Sequence, residues 1–327
     1  MKKKLVAVVA LVLIVVLACS LAACNSKSMF DGRFNKEATK EEAASFWKTA
    51  QSAFGQESEE LATASSEDKE TVKGWKGMKV SMLGDSFYSS VDGDKKYESR
   101  ETIELNGSTL FDGSAMAITA KFDGYETEDG KTEKETMVIG DYVKDKTMYA
   151  VYGNGEKELN VKIGADLGIV GSIIKKIVGN AAEGYSQMAV TALGAVICSM
   201  DYDAIAEYEG FKVYIDNSGK YNRVKYVLTA ELLAALQGRN ESVYKDAVLG
   251  ECSIIIVIDK DGVFQGIKFE TNTSITKTVG TQESKSTSKS VVSIEKCDEI
   301  TSYPANLDDY KDVKDLKMED LEGFDFN

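Results

Sequence analysis

Cys24 is the residue whose surroundings point most directly to a chemical reaction. It closes a Leu-Ala-Ala-Cys tetrapeptide at 21–24, after a start with three lysines and an apolar run over residues 5–18. Secretory signal peptides have this order of parts, with small residues before the cleavage site. We therefore expect residues 1–23 to be a lipoprotein signal peptide and the thiol of Cys24 to be the lipidation site.

Two alternatives to lipidation of Cys24 stay open. A retained transmembrane helix would need about 20 apolar residues, more than residues 5–18 supply. Cys19 is a rival acceptor, although a bulky leucine stands two residues before it. Two acyl chains on one cysteine anchor a protein stably, whereas one chain binds marginally. The expected location is the extracytoplasmic face of a bacterial membrane, of the Gram-positive cell membrane type, and that membrane is the first expected partner.

The absence of histidine restricts the catalytic chemistry of the chain. Histidine is the most frequent general base and a usual zinc ligand, and Ser-His-Asp and Cys-His arrangements depend on it. The sequence also lacks a phosphate loop, a dinucleotide fingerprint and a nucleophile elbow. Carboxylates and tyrosines cluster at 201–203 and 308–310, where we expect solvated helix ends and a tail. We predict a non-catalytic protein with no cofactor and no metal site.

The charge balance and the cysteines narrow the choice of partners. The formal net charge is −14, so nucleic acid would be repelled and no nucleic-acid partner is expected. Beyond Cys24, the cysteines at 198, 252 and 297 are far apart and odd in number. They do not form a C-x-x-C motif, and small buried apolar side chains are their expected role.

Turn and helix signals outline the N-terminal half. Residues 24–38 are polar and predict a tether, and residues 39–42 match a capping box at a helix start. From 75 to 162, alternating segments predict consecutive antiparallel hairpins. The predicted turns are five Asp-Gly or Asn-Gly sites, at 92–94, 106–107, 112–113, 123–124 and 129–130.

The middle of the chain changes to helical spacing. Residues 167–178 predict an amphipathic helix, and residues 184–200 predict a helix that is apolar nearly all round, which is typical of burial. Both helices could be plain core or could line a ligand cavity. The candidate lining residues of an apolar pocket are Leu167, Val170, Ile173, Ile174, Ile177, Met188, Val190, Leu193 and Ile197.

An internal repeat marks the C-terminal third. Residues 215–226 recur as 258–269, and each copy places a polar turn with glycine between two alternating segments, which predicts two hairpins. A calcium loop at 259–262 is the alternative, but further oxygen ligands and a closing glutamate are missing. Residues 280–289 predict a Ser/Thr/Lys-rich loop before a last strand at 290–297. An acidic tail is expected at 312–327.

The order of these parts resembles the LolA/LppX-like superfamily of bacterial lipoproteins, or a related family of Gram-positive lipoproteins. The shared parts are the lipobox, a first helix, hairpin strands, an apolar helical stretch, two Ile-Asp-x-x-Gly hairpins and a tail with proline. The resemblance covers residues 39–311 and implies a single α+β domain. Its expected fold is a curved antiparallel sheet, a half-barrel, with helices packed on the concave face and room for acyl chains between them.

The leading functional hypothesis is therefore a membrane-anchored lipoprotein that binds or carries a lipid or another hydrophobic ligand between sheet and helices. A non-catalytic structural or interaction lipoprotein of the cell envelope is the alternative, because no chemical constellation stands out. A solute-binding lipoprotein of an importer is the third hypothesis. That class needs two α/β lobes, whereas the hairpin pattern indicates an antiparallel sheet.

Overall fold

The computed structural model of the protein describes residues 28–54, 72–163, 202–230, 232, 247–250 and 252–321. Its main element is a large curved antiparallel β-sheet that is not closed on itself, accompanied by few helices. This confirms the predicted sheet.

The strands and helices have the following bounds. The strands before residue 164 are β1 (Lys36–Glu37), β2 (Gly77–Asp92), β3 (Lys95–Leu110), β4 (Met116–Glu128), β5 (Lys131–Lys144), β6 (Thr147–Gly153) and β7 (Glu158–Ile163). The strands after residue 202 are β8 (Lys212–Asp216), β9 (Tyr221–Val227), β10 (Ala247–Leu249), β11 (Ser253–Asp259), β12 (Phe264–Val279), β13 (Gln282–Cys297) and β14 (Lys311–Asp312). The helices are α1 (Lys40–Ala53), α2 (Tyr202–Ile205) and α3 (Met318–Leu321), with 3-10 turns at Leu307–Asp309 and Val313–Asp315.

The strand order shows how the two halves of the chain combine. Neighbours follow the order β1-β8-β9-β11-β12-β13-β2-β3-β4-β5-β6-β7-β14, and β10 also pairs with β12. The N-terminal meander β2 to β7 therefore joins the C-terminal strands through the long antiparallel pair of β13 and β2. At the far edge, β14 pairs with β7 in parallel.

Helix α1 forms where its local signals predict. The Thr39 hydroxyl accepts a hydrogen bond from the Glu42 N–H at 3.1 Å, and the Glu42 carboxylate accepts one from the Thr39 N–H at 2.9 Å. This capping box satisfies two N–H groups that the helix itself cannot bond. On the apolar face, Trp47 is 1% exposed and meets Tyr226 edge to face, with ring centroids 5.1 Å apart.

Strand register divides the sheet into two faces, because successive residues alternate and directly paired residues project to the same side. We call the side that carries Ile256 the helix face, since Ile256 shares a core with the apolar side of α1. The opposite side is the tail face. There Phe30 packs against Val257 from the N-terminal segment, and Tyr310 packs against Tyr149 from the C-terminal tail.

Three of the five predicted turns are confirmed, and two are wrong. Gly93, Gly113 and Gly130 turn the chain with φ of 60°, 69° and 83°, the region that glycine enters most readily. The pairs at 106–107 and 123–124 instead lie inside β3 and β4, where the ladders continue through them. Neighbouring strands on both sides hold the backbone extended there, which outweighs the local turn preference.

The loop predicted at 280–289 is also wrong. A two-residue turn that includes Gly280, with φ of 63°, leads directly into β13 at Gln282. Threonine is β-branched and suits a pleated surface, and serine is tolerated there. This polar composition is therefore compatible with a strand that is exposed to solvent on both faces. The two repeated hairpins are confirmed, with Gly219 and Gly262 at φ of 85° and 83°.

Both terminal segments contact the sheet. Within the segment predicted as a tether, Phe30 is 3% exposed and β1 pairs with β8. The Arg33 N–H donates to the Asp216 carboxylate at 3.1 Å. The segment predicted as an acidic tail begins inside β14, at Asp312. Phe30 anchors the N-terminal segment, whereas the predicted tail is joined to the sheet through the pairing of β14 with β7.

Candidate functional site

The helix face continues from the α1 contact across β3 to β7, and three rows of directly paired residues can be followed there. The first row is Leu105, Ala120, Ile139, Tyr152 and Leu159. The second row is Gly107, Ile118, Asp141, Ala150 and Val161. The third row is Thr109, Met116, Val143, Met148 and Ile163. Together these rows form what we call the apolar zone.

Side chains of the apolar zone are buried to different depths. Met116 and Leu105 are buried, whereas Ile118, Ile139 and Tyr152 are half-buried. Helix α1 packs on β11 and β12, so among the described elements it does not cover this zone. No residue of these rows is exposed, so the zone is apolar surface that is largely withdrawn from water, as apolar surface in a soluble protein usually is.

The same face becomes polar farther along the strands. The polar zone comprises the helix-face residues Ser284, Ser286, Ser288, Ser86, Tyr88, Ser90, Tyr97, Ser99, Glu101, Glu126, Glu128, Lys131, Glu133 and Glu135. Tyr88 and Tyr97 are neighbours, with ring centroids 5.9 Å apart. Glu126 is paired directly with Glu133, an arrangement that places like charges side by side. The helix face is thus amphipathic along the strand direction.

Asp141 is the one charged side chain of the apolar zone. Its direct cross-strand neighbours are Ile118 and Ala150. Burial raises the pKa of its carboxyl group. Within the described part of the chain, no hydrogen bond or ion pair reaches this carboxylate. A carboxylate without a compensating partner in apolar surroundings is costly.

The tail face of the same strands is covered by the C-terminal tail. The Tyr303 hydroxyl donates to the Val143 carbonyl at 2.8 Å. Tyr310 meets Tyr149 edge to face at 5.7 Å, and burial raises the pKa of Tyr310 to about 12. The tail therefore packs on the side of β4 to β7 that lies opposite the apolar zone.

A depression of about 560 Å³ lies along the side of α1 that faces away from the sheet. Its lining residues are Glu41, Ala44, Ser45, Lys48, Thr49 and Ser52. All of these described lining residues belong to one helix, and among them there is no charged or polar group that the fold sets apart for a ligand. We assign it no role.

The site residues predicted from the sequence lie outside the described residues. This applies to Cys24 and to all nine candidate pocket residues, from Leu167 to Ile197. In the described ranges, no helix is long and apolar enough to cross a membrane. The same ranges contain no group of three or more histidine, cysteine, aspartate or glutamate side chains placed to hold a metal ion.

The sequence prediction missed the apolar zone and Asp141. A signal exists in β5, where Met137, Ile139, Asp141 and Val143 alternate with residues of the other face. The carboxylate occupies a position at which this alternation predicts an apolar side chain. The carboxylate of Asp141 is recognised as unusual only when the strand register places position 141 on the helix face.

Comparison with protein-family models and with curated proteins identified no relative of this chain. No protein-family model matches the chain, and no curated protein is significantly similar to it. The resemblance to the LolA/LppX-like superfamily therefore stays a prediction from the sequence.

Proposed function

We propose that the protein is an extracytoplasmic lipoprotein, anchored through Cys24, that binds a lipid or another hydrophobic ligand on the helix face of its sheet. The observation that supports this function is the apolar zone on β3 to β7, a wide row of buried and half-buried apolar side chains on which α1 does not pack. An acyl chain that leaves a bilayer loses about 0.8 kcal/mol per methylene unless it finds an equally apolar surface. Rows of half-buried aliphatic side chains such as Ile118 and Ile139 offer that surface.

The anchor and the sheet are close in sequence. Cys24 precedes Ser28, the first described residue, by four positions. Four extended residues reach about 14 Å at most. A lipid on Cys24 would therefore hold the docked N-terminal segment, and with it the sheet, near the membrane surface from which a hydrophobic ligand would come.

The finer architecture of this proposal is a half-barrel with helices packed on its concave face. Helix α1, which packs on β11 and β12, supports it. The candidate lining residues between Leu167 and Ile197 belong to the segment that would complete the cover. In this arrangement they and the apolar zone would form opposite walls of one pocket.

The proposal is tested by placing a charge in the apolar zone. The full-length lipoprotein, reconstituted in lipid vesicles, is irradiated with a photoreactive C16 alcohol, and the labelled peptides are mapped by mass spectrometry. We expect labelling of β3 to β7 in the natural protein and a loss of about tenfold in Ile139→Glu, because a buried charge opposes an apolar ligand.

Ser99→Glu is the matched control. Ser99 is also half-buried on the helix face, but it lies in the polar zone beside other glutamates, so its labelling should stay unchanged. Circular dichroism checks that both variants are folded. Absence of labelling in β3 to β7 of the natural protein would contradict the proposal and favour a structural or interaction lipoprotein.

A further inference from the structure

We propose that Asp141 is the polar anchor of the ligand, and that the ligand is a cationic amphiphile, with a protonated amine on a long apolar chain. This inference rests on the proposed function, because it names the ligand class of the same site. It is carried by the position of Asp141 among the apolar rows and by the charges on the same face of the sheet.

The position of Asp141 gives a ligand access to its carboxylate. Ala150, its direct neighbour on β6, has a short side chain, and Ile118 on β4 is half-buried. Aliphatic residues flank it along its own strand, Ile139 before it and Val143 after it. An acyl chain that lies on these residues brings its head group beside the carboxylate.

Among the described residues no cation faces Asp141, and a cation is the partner that its carboxylate would favour. Among the helix-face residues of β5, the nearest lysine is Lys131, ten residues away and so about 33 Å along an extended strand. Glu133 and Glu135 lie between them on the same face. The potential along this side of β5 is therefore negative, and it favours the approach of a cation and disfavours an anionic head group.

A role in stability does not account for this residue. An aliphatic side chain at position 141 would continue the apolar row and avoid the cost of desolvating a carboxylate. The pKa of Asp141 is raised by burial, as expected for a carboxylate that no charged side chain of the described residues compensates. A protonated amine at hydrogen-bonding distance supplies that charge and favours the ionised form.

The test compares two photoreactive probes that differ only in the head group, a C16 amine and a C16 alcohol, on the full-length lipoprotein in vesicles. We expect the amine to label β3 to β7 about tenfold more than the alcohol, the ratio that one charge-assisted hydrogen bond supports. In Asp141→Asn the ratio should fall to about one, with labelling by the alcohol unchanged. Asp94→Asn, the same change at an exposed hairpin tip, should keep the natural ratio.

Each result decides between the two proposals. Equal labelling by both probes in the natural protein would overturn the cationic ligand and leave the proposed function standing. Absence of labelling by either probe would contradict the proposed function itself. Loss of both labels in a folded Asp141→Asn would assign the residue to packing and overturn its role as an anchor. If that variant does not fold, competition on the natural protein decides: unlabelled C16 amine should displace the probe at about a tenth of the concentration that the C16 alcohol needs, and equal concentrations would overturn the cationic ligand.

Discussion

At the scale of single residues, two arginine–aspartate pairs on the tail face differ in opposite directions in distance and in burial. We expect burial to decide how much each pair contributes to the free energy of unfolding. Arg100 binds Asp85 through two hydrogen bonds of 2.8 and 2.9 Å, but the two side chains are 52% and 34% exposed. Arg223 lies farther from Asp216, at 3.3 Å, and these side chains are 11% and 5% exposed. Removal of one partner from a buried pair leaves an uncompensated charge, whereas water replaces an exposed partner.

We expect Asp216→Ala to lower the free energy of unfolding by about 3 kcal/mol. The change leaves the buried Arg223 guanidinium without its carboxylate partner. It also removes the acceptor of the Arg33 and Ser218 N–H groups. The matched variant Asp85→Ala should cost less than about 1 kcal/mol despite its shorter contacts. Urea unfolding at neutral pH measures both values. Equal costs would contradict this ranking.

The same pair gives a pH dependence with a defined sign. Burial opposes ionisation of Asp216, but hydrogen bonds from Ser218 and the Arg33 N–H, together with the charge of Arg223, lower its pKa overall. The stability that this carboxylate contributes is present above the unfolded pKa of about 3.9 and is lost as the pH falls through the lowered folded value. The difference in stability between the natural protein and Asp216→Ala should therefore narrow in acid.

At the scale of elements, α1 is the clearest case of a local sequence signal that the fold uses. Its N-terminus is fixed by Thr39 and Glu42, and its apolar side is buried against Tyr226, whose hydroxyl donates to the Ala43 carbonyl at 2.8 Å. The cap fixes where the helix starts, and that start places Trp47 over the sheet.

We expect Thr39→Ala to cost about 1 kcal/mol of stability, because the N–H of Glu42 loses its acceptor. Thr49→Ala is the matched control in the same helix. The Thr49 hydroxyl donates back to the Ser45 carbonyl at 2.9 Å, a bond that adds little, and alanine has the higher helix propensity. Thermal unfolding should show a lower midpoint for Thr39→Ala and an unchanged or slightly higher one for Thr49→Ala. The reverse order would contradict the role of the cap.

At the scale of the whole molecule, the long strands β12 and β13 run from a region packed against the core into a region exposed to solvent. In β12 and β13, the residues near Ile267 and Ile294 belong to the core around α1. The stretches 271–279 and 282–290 of the same strands carry mainly serine, threonine and lysine on both faces. The ladder is continuous through both regions, so apolar packing and not backbone pairing distinguishes them.

We expect hydrogen exchange to follow this division. Amides in 271–279 and 282–290 should exchange faster than those in 264–269 and 292–297, because opening them breaks few apolar contacts. The two regions belong to one continuous β12–β13 ladder. They therefore have the same backbone pairing and differ in their side-chain packing. Equal protection along the strands, measured by mass spectrometry on the full-length protein, would contradict the expected gradient.

The sequence by itself determined the features that depend on near neighbours. The capping box before α1, the apolar spacing of that helix and the two hairpins with Gly219 and Gly262 were predicted correctly, because each needs only residues within a few positions of one another. The same local reasoning failed at 106–107 and in the Ser/Thr/Lys-rich stretch after Gly280. There the ladders of adjacent strands hold the backbone extended against its local preference.

Only the tertiary structure decided which distant strands meet and which residues share a face. The pairing of β13 with β2 joins segments about two hundred residues apart, and no local pattern encodes that partner. This register, carried through β3 and β4, places Ile139 and Asp141 on the side where α1 packs. A shift of one residue would move both to the opposite face. The apolar zone and its carboxylate are therefore consequences of strand pairing, which depends on the free energy of the whole sheet.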